Sequence, residues 1–222
     1  MIKILSKLIS KNACIIIGTG GHSRVISRLI SLNRKYQIYG HLEFDPNKKI
    51  YKNELIYSNK IIDYYKNIKK YIDLGIKYFF LAIGDNYLRY DIFNDLRKHE
   101  LTFPNLLHPS VLIDETCVIG KGSVISVGAI LCNSVIIGNF SIINTGTIID
   151  HESTIGNFCH LAPGVKVAGR CTINDHTFIG ISSTIIENIF LEKNITVGAS
   201  SNVLKSCKVD GAVLIGNPAK IK

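Results

Sequence analysis

The second half of the chain carries a period that no helix has. From Ile113 onward every sixth residue is Ile, Leu or Val, through Ile119, Ile125, Leu131, Ile137 and Ile143 to Val203, Val209 and Ile215, eighteen positions in all. Two residues ahead of the aliphatic the chain favours small side chains, as at Ala129, Ser141, Thr147, Ser153, Cys159, Cys171 and Ser183. Glycine often follows it, at Gly120, Gly138, Gly156, Gly180, Gly198 and Gly216. An α-helix repeats about every 3.6 residues, so a period of six does not fit one. The pattern predicts short strands stacked as a solenoid. Each turns one aliphatic inward, and glycine supplies permissive backbone at the corners.

The first half is patterned differently. Residues 14–30, CIIIGTGGHSRVISRLI, run from a continuous apolar stretch through a glycine turn into a helical pattern. Gly18, Gly20 and Gly21 allow a sharp bend, and the helix that follows offers unpaired N–H groups to an anion. A full dinucleotide fingerprint would need glycine at 23, where the chain has Ser23. Taken alone, the turn reads equally as a phosphate cradle or as a tight structural turn. A second strand, YQIYGHLEFD, ends in acidic residues, and a third, KYFFLAIGDN, leads through Gly84, Asp85 and Asn86 into the amphipathic YLRYDIFNDLRKH. Three strand-to-helix signals predict a small α/β unit that binds ligands at the carboxyl ends of its strands. The expected organisation is an extension over 1–12, an α/β unit over 13–107, a β-solenoid over 108–217 and a tail over 218–222.

Charge refines this picture. The net +9 belongs entirely to residues 1–109, with 18 basic and 9 acidic side chains, whereas residues 110–222 carry 8 of each. Lys48, Lys49, Lys52, Lys60, Lys66, Lys69 and Lys70 sit in an Asn/Tyr/Lys-rich middle that reads as solvated surface. A basic half suits a phosphate-bearing small ligand, and no basic-aromatic motif argues for nucleic acid. No run of 18 apolar residues predicts a membrane span. The opening MIKILSKLIS is broken by Lys3 and Lys7 and reads as a short extension, not a signal peptide. Cys117, Cys159, Cys171 and Cys207 fall in the small slot of the repeat, and no CxxC occurs. Buried thiols and a cytoplasmic location are therefore expected rather than disulfides or a zinc ribbon.

GTGGHS near the start, LAIGDNYLR, NLLHPS, NTGTIIDHESTIG and GNPAK near the end occur together in one chain. This combination resembles the bacterial sugar O-/N-acyltransferases of the sialic-acid acetyltransferase type, which carry hexapeptide repeats. It looks most like the bacillosamine-pathway branch, which acetylates a UDP-linked 4-amino sugar with acetyl-CoA. The resemblance implies a Rossmann-like unit followed by a left-handed parallel β-helix, assembled as a homotrimer with active sites between subunits. It implies that His151, followed by Glu152, is the general base and that His160 and Asn144 lie near the acetyl group. Gly169, Gly180, Ile181 and Ala199 correspond to the coenzyme A groove. Gly18, Thr19, Gly20, Gly21, His22, the end of the second strand (Glu43, Asp45) and Gly84, Asp85 and Asn86 correspond to the nucleotide-sugar pocket. Relatives often carry paired aspartates after the second strand, and Glu43-Phe44-Asp45 departs from that pattern.

The chemistry suits these residues. An imidazole can accept the proton that an amine loses on attacking a thioester, and a neighbouring carboxylate, Glu152 or Asp150, can orient the ring. A donor from His160 or a backbone N–H would face the thioester oxygen. Acetyl-CoA is the expected co-substrate and no metal is expected. Two other readings stand beside amine acetylation: O-acetylation of a sialic acid or related nonulosonic acid, and a zinc-dependent hydratase. The latter needs three convergent imidazoles, and the 9- and 16-residue spacings of His151, His160 and His176 do not fall on equivalent repeat positions. His176 and His99 read as surface residues, and His108 as a residue of the junction.

Overall fold

A computed structural model of the chain describes residues 10–51 and 54–222. The first nine residues of the expected extension, and Lys52, lie outside the described residues. The polypeptide forms two compact units, one running to Gly84 and including Asp91–Pro104, the other comprising Asp85–Tyr90 and Asn105–Lys222.

The first unit is a five-stranded sheet in the order β3-β4-β2-β1-β5. Strand β1 (Ala13–Ile17) is buried along its whole length, as a central parallel strand covered on both faces must be. It pairs in parallel with β2 (Gln37–Glu43) and β5 (Tyr78–Leu81), and helix α1 (Gly21–Asn33) follows it directly. The Lys-rich middle is more than solvated surface. It contributes β3 (Leu55–Ile56), β4 (Asn59–Tyr64), a 3-10 turn and the short helix α2 (Lys69–Asp73), and β4 pairs in parallel with β2. Ile56 and Ile61 are buried there, while Lys66 and Lys70 lie over the rings of Tyr64 and Tyr71. The stems of these lysines cover aromatic surface while their charges remain in water. Helix α3 (Asn86–Leu96) has its residues up to Tyr90 in the second unit and the rest in the first.

The second unit is a three-sided parallel solenoid. Its first face runs from Leu106–Leu107 to Val213–Ile215, to which Lys220–Ile221 adds antiparallel, its second from Leu112–Ile113 to Asn202–Val203 and its third from Val118–Ile119 to Phe190–Leu191. Each two-residue strand pairs with the strand one 18-residue coil away, as Ile142 and Ile143 pair with His160 and Leu161. The aliphatic of each hexad points inward from Ile125 to Val203 and builds one continuous core.

Three features differ from the sequence reading. The solenoid starts one hexad earlier, because Leu106–Leu107 already pairs with Val124–Ile125. Its last coil is out of register: Leu191 bridges to Cys207 and Val197 pairs with Leu214, so Val209 and Ile215 face outward and Cys207 takes an inward place. The spacings of 16 and 17 residues break the hexad there. Third, the glycines after the aliphatic at 120, 138, 156, 180 and 198 are required by crowding, not by corner dihedrals, and Gly216 alone of the six has a positive φ, +102°. A Cβ on Gly138 would lie 2.5 Å from the Gly156 carbonyl one coil on. The left-handed corner residues come two places later and are mostly not glycine, as at Phe140, Glu152, Phe158, Arg170 and His176.

The small slot has a polar function as well. Ser141 Oγ donates to the Gly156 carbonyl at 2.7 Å and accepts from Cys159 N–H at 3.0 Å, which links successive coils. Cys159 and Cys171 occupy the same slot and donate weakly to Asn174 O and Ile186 O.

Candidate active site

In the first unit the glycine turn joins β1 to α1. Gly18 is irreplaceable on two counts: its φ is +112°, and a Cβ would lie 2.7 Å from the Ala82 carbonyl at the end of β5. Gly20 and Gly21 face open space, so the start of α1 is uncovered. Ser23 Oγ donates to Gly20 O at 2.6 Å and fixes the turn. Beneath it the buried His41 ring lies 3.2 Å from Ser27 Oγ and 3.4 Å from Gly18 O.

Glu43, expected to meet the ligand, is buried. Its carboxylate accepts hydrogen bonds from the Thr19 hydroxyl and the Asp45 N–H and pairs with Lys48 at 2.8 Å. Burial pushes its pKa up, but the bonds from Lys48, Thr19 and Asp45 more than offset this and hold it below the usual range. Glu43 therefore ties the end of β2 to the glycine turn and leaves Asp45 as the more open carboxylate. His22 is half-buried on the first turn of α1.

Gly84 precedes the exposed Asp85, whose Oδ1 accepts Leu88 N–H at 2.8 Å. Asn86 is buried and fully engaged: its amide donates to His176 O and Thr177 O and accepts from Arg89. Arg89 is 1% exposed and donates to the carbonyls of Phe140, Phe158, Cys159 and Asp85. Burial lowers its pKa to about 10, a shift that the charge of Asp85 partly opposes.

His151 and Glu152 occupy the corner between the second and third faces. The His151 ring rests on Gly169, one coil further on, where a Cβ would approach Nε2 to 2.5 Å. Glycine there makes room for the imidazole. The His151 N–H donates to Asp150 Oδ1 at 2.8 Å. The Glu152 carboxylate lies 3.6 Å from His151 Nδ1, too far for a hydrogen bond, and 2.5 Å from Arg170 Nε. The bond from Arg170 holds the Glu152 carboxyl below its ordinary pKa. An open groove of about 510 Å³ runs beside this corner, lined by Cys132, Ile148, Asp150, Lys166, Val167, Ala168, Thr184, Ile185, Ile186 and Glu187. Burial and the neighbouring Asp150 raise the Cys132 thiol.

The other expected donor-site residues gather elsewhere. Asn144, Gly180, Ile181 and Ala199 follow strands of the first face, at the edge it shares with the second, and Ile181 and Ala199 are exposed. His160 projects outward from the first face, its Nε2 3.4 Å from Asn144 Nδ2 and its ring edge-on to Phe178. The structure thus brings His160 to Asn144 and His151 to Glu152 and Gly169. It does not bring the two histidines together within one chain, because the His151 corner is the vertex opposite the first face.

His176 differs from its expected surface role. Its ring is stacked between Phe158 and Tyr87, at 5.5 and 5.1 Å, because coil spacing places Phe140, Phe158 and His176 in one column. His108 accepts from Ser110 N–H in a local turn. Among the described residues no group of three His, Cys, Asp or Glu side chains is placed to hold a metal ion. Sequence reasoning missed Arg170, Arg89 and Lys48. Arg170 was within reach, since it lies 18 residues, one full coil, after Glu152.

Comparison with known proteins bears on both units. Residues 13–96 match the family model described as the PglD N-terminal domain. No curated protein is significantly similar to the chain in sequence. Among solved structures, a perosamine N-acetyltransferase from Caulobacter crescentus, with one histidine changed to asparagine and in complex with CoA and GDP-perosamine, aligns over 96% of this chain and 98% of its own. The TM-score is 0.89 at 27% identity. The first unit thus carries a PglD-type N-terminal domain, and over nearly its whole length the chain is similar to a CoA-bound hexapeptide-repeat sugar N-acetyltransferase.

The acetyltransferase domain of PglB from Neisseria gonorrhoeae FA1090 has the same fold, with a TM-score of 0.85 at 23% identity over 96% of this chain and 100% of that one. WeeI from Acinetobacter baumannii AYE aligns with a TM-score of 0.79 at 23% identity, over 95% and 99%. As in these structures, a Rossmann-like unit precedes a left-handed parallel β-helix. No helix among the described residues is long and apolar enough to cross a membrane.

Proposed function

We propose that the chain transfers the acetyl group of acetyl-CoA to the amino group of a nucleotide-linked amino sugar, with His151 as the general base. The observation that carries this reading is the seat of His151: a half-exposed imidazole accommodated by Gly169 beside an open, largely apolar groove. In the proposed step the sugar nitrogen attacks the thioester carbonyl, a C–N bond forms and the C–S bond breaks. His151 takes the proton that the nitrogen loses, and the departing thiolate is protonated in turn. The transfer is direct and needs no acyl-enzyme.

The glycine turn, with Thr19 and His22, would hold the phosphates, and Asp45, Gly84 and Asp85 would line the nucleotide side. Glu43 and Asn86, both buried and hydrogen-bonded, act as supports for those loops. Asn144, His160, Gly180, Ile181 and Ala199 would hold the acetyl donor. They lie on a different edge from His151, which supports a homotrimer in which one copy supplies the base and its neighbour the donor-binding edge.

UDP is the base-bearing partner that the family resemblance implies. GDP is a second reading, favoured by the relative solved with GDP-perosamine. The test is incubation with acetyl-CoA and a panel of UDP-, GDP- and dTDP-linked amino sugars, with free sialic acid as the O-acetyl control. Thiol release reports turnover, and mass spectrometry locates the acetyl group. His151→Ala should lower turnover by about 10²–10⁴-fold, and a wild-type rate in that variant would remove His151 from the role.

A further inference from the structure

The His–Glu pair at the proposed base has a third member. Glu152 and Arg170 stand one coil apart in the same corner column, and both residues have left-handed backbone, with φ of 57° and 59°. Their side chains meet through Arg170 Nε and Glu152 Oε2 at 2.5 Å, and the same oxygen lies 3.6 Å from His151 Nδ1. Arg170 Nε and His151 Nδ1 are therefore no more than about 6 Å apart, within the range over which charges shift each other's ionisation.

We infer that Arg170 is a positioning residue that draws the Glu152 carboxylate off the resting His151 ring, so that the base enters the reaction uncharged. A carboxylate hydrogen-bonded to an imidazole favours the imidazolium, which cannot accept a proton. With Arg170 holding that oxygen, the carboxylate's attraction is shared and the guanidinium repels a second positive charge. Once His151 has taken the proton from the attacking amine, Glu152 is still near enough to close on the ring. The other charged and titratable groups around the ring are Asp150 on its own coil, Cys132 one coil below, and Lys166 and Glu187 above. Asp150 engages the His151 backbone rather than the ring, and the coil directly above presents Gly169.

The inference rests on the proposed role of His151, so the experiment needs a readout that does not require turnover. The full-length protein, 13C-labelled at histidine, is titrated by NMR on the ring Cε1–Hε1 resonance, assigned with His151→Gln. Removing the guanidinium in Arg170→Met frees Glu152 and lifts a repulsion, and both changes act in the same direction. The His151 titration midpoint should rise by about half to one pH unit. Arg170→Lys should give less than half that shift. In the Glu152→Gln background the effect of Arg170→Met should shrink to the part owed to the lost repulsion alone.

In assays, kcat/KM of Arg170→Met should fall increasingly as the pH is lowered, towards a limit of about three- to tenfold well below both midpoints, and should approach wild type by pH 8.5; a merely structural role would lower it at every pH. A midpoint in Arg170→Met at or below the wild-type value overturns the inference. So does an equal rise with Glu152 already neutralised, since the coupling would then bypass the carboxylate. If the acetyl-transfer reading itself is wrong, no form releases thiol while the ring still titrates higher in Arg170→Met.

Discussion

At the scale of single residues, the first unit depends on a histidine that never touches solvent. His41 lies under the glycine turn between Ser27 and Gly18, where burial lowers its pKa to about 4, partly countered by the hydrogen bond to the Gly18 carbonyl. The unfolded chain takes up this proton near pH 6.5 and the folded chain only near pH 4. Between those values the unfolded state binds more protons, so stability falls as the pH is lowered through the window, by about 3 kcal/mol in total. The change is absent above pH 6.5 and complete below 4. Urea unfolding at pH 7 and pH 4.5 should show this loss in wild type, and a clearly smaller one in His41→Gln. Equal losses in both would mean that ordinary carboxylates account for the acid sensitivity. Glu43, expected as a ligand contact, also fastens this turn through Thr19 and Lys48.

At the scale of elements, two-residue strands hold because each coil supplies what the next lacks. The slot serine is the clearest case. Ser141 satisfies both the Gly156 carbonyl and the Cys159 N–H, which sits in the interior beyond the reach of water. Ser141→Ala leaves both groups unpaired and should cost about 1–3 kcal/mol in the denaturant unfolding of the solenoid. Ser141→Cys should cost less, because thiols already fill this slot at Cys159 and Cys171. If the alanine variant unfolds with the wild-type midpoint, the slot selects for size alone. The hexad made strand positions legible to the residue. Why glycine follows the aliphatic was not legible, because the obstacle at Gly138 is the backbone of a coil 18 residues away.

At the scale of the whole molecule, the residues expected at the acetyl-transfer site divide between two edges of one prism. Their combination into a single centre is a statement about assembly. If neighbouring copies share each centre, His151→Ala and Ile181→Asp chains that are inactive alone should complement when unfolded together and reassembled. Random mixing in a trimer gives about a quarter of the sites both intact edges. Recovery of roughly that fraction of wild-type thiol release, with sedimentation as a trimer, supports the shared centre. A mixture as inactive as its parents would place both edges in one chain's own site.

The chain's own periodicity determined the solenoid, its inward aliphatics up to Val203 and the buried thiols of Cys159 and Cys171, because each follows from one local rule repeated at a fixed step. The glycine turn after β1 was legible from its own residues, as were the two further parallel strands, one ending in an acidic segment and one in Gly-Asp-Asn. Tertiary structure decided what depends on stacking distance. It put Glu152 in hydrogen-bond contact with Arg170 while leaving it 3.6 Å from the His151 ring, drew Asn86 and Arg89 onto backbone carbonyls, and built His176 into an aromatic column. A sequence fixes neighbours along the chain and the period of the fold. The partner that a side chain takes is set by which atoms the next coil brings within about 3 Å, and that is a property of the folded prism.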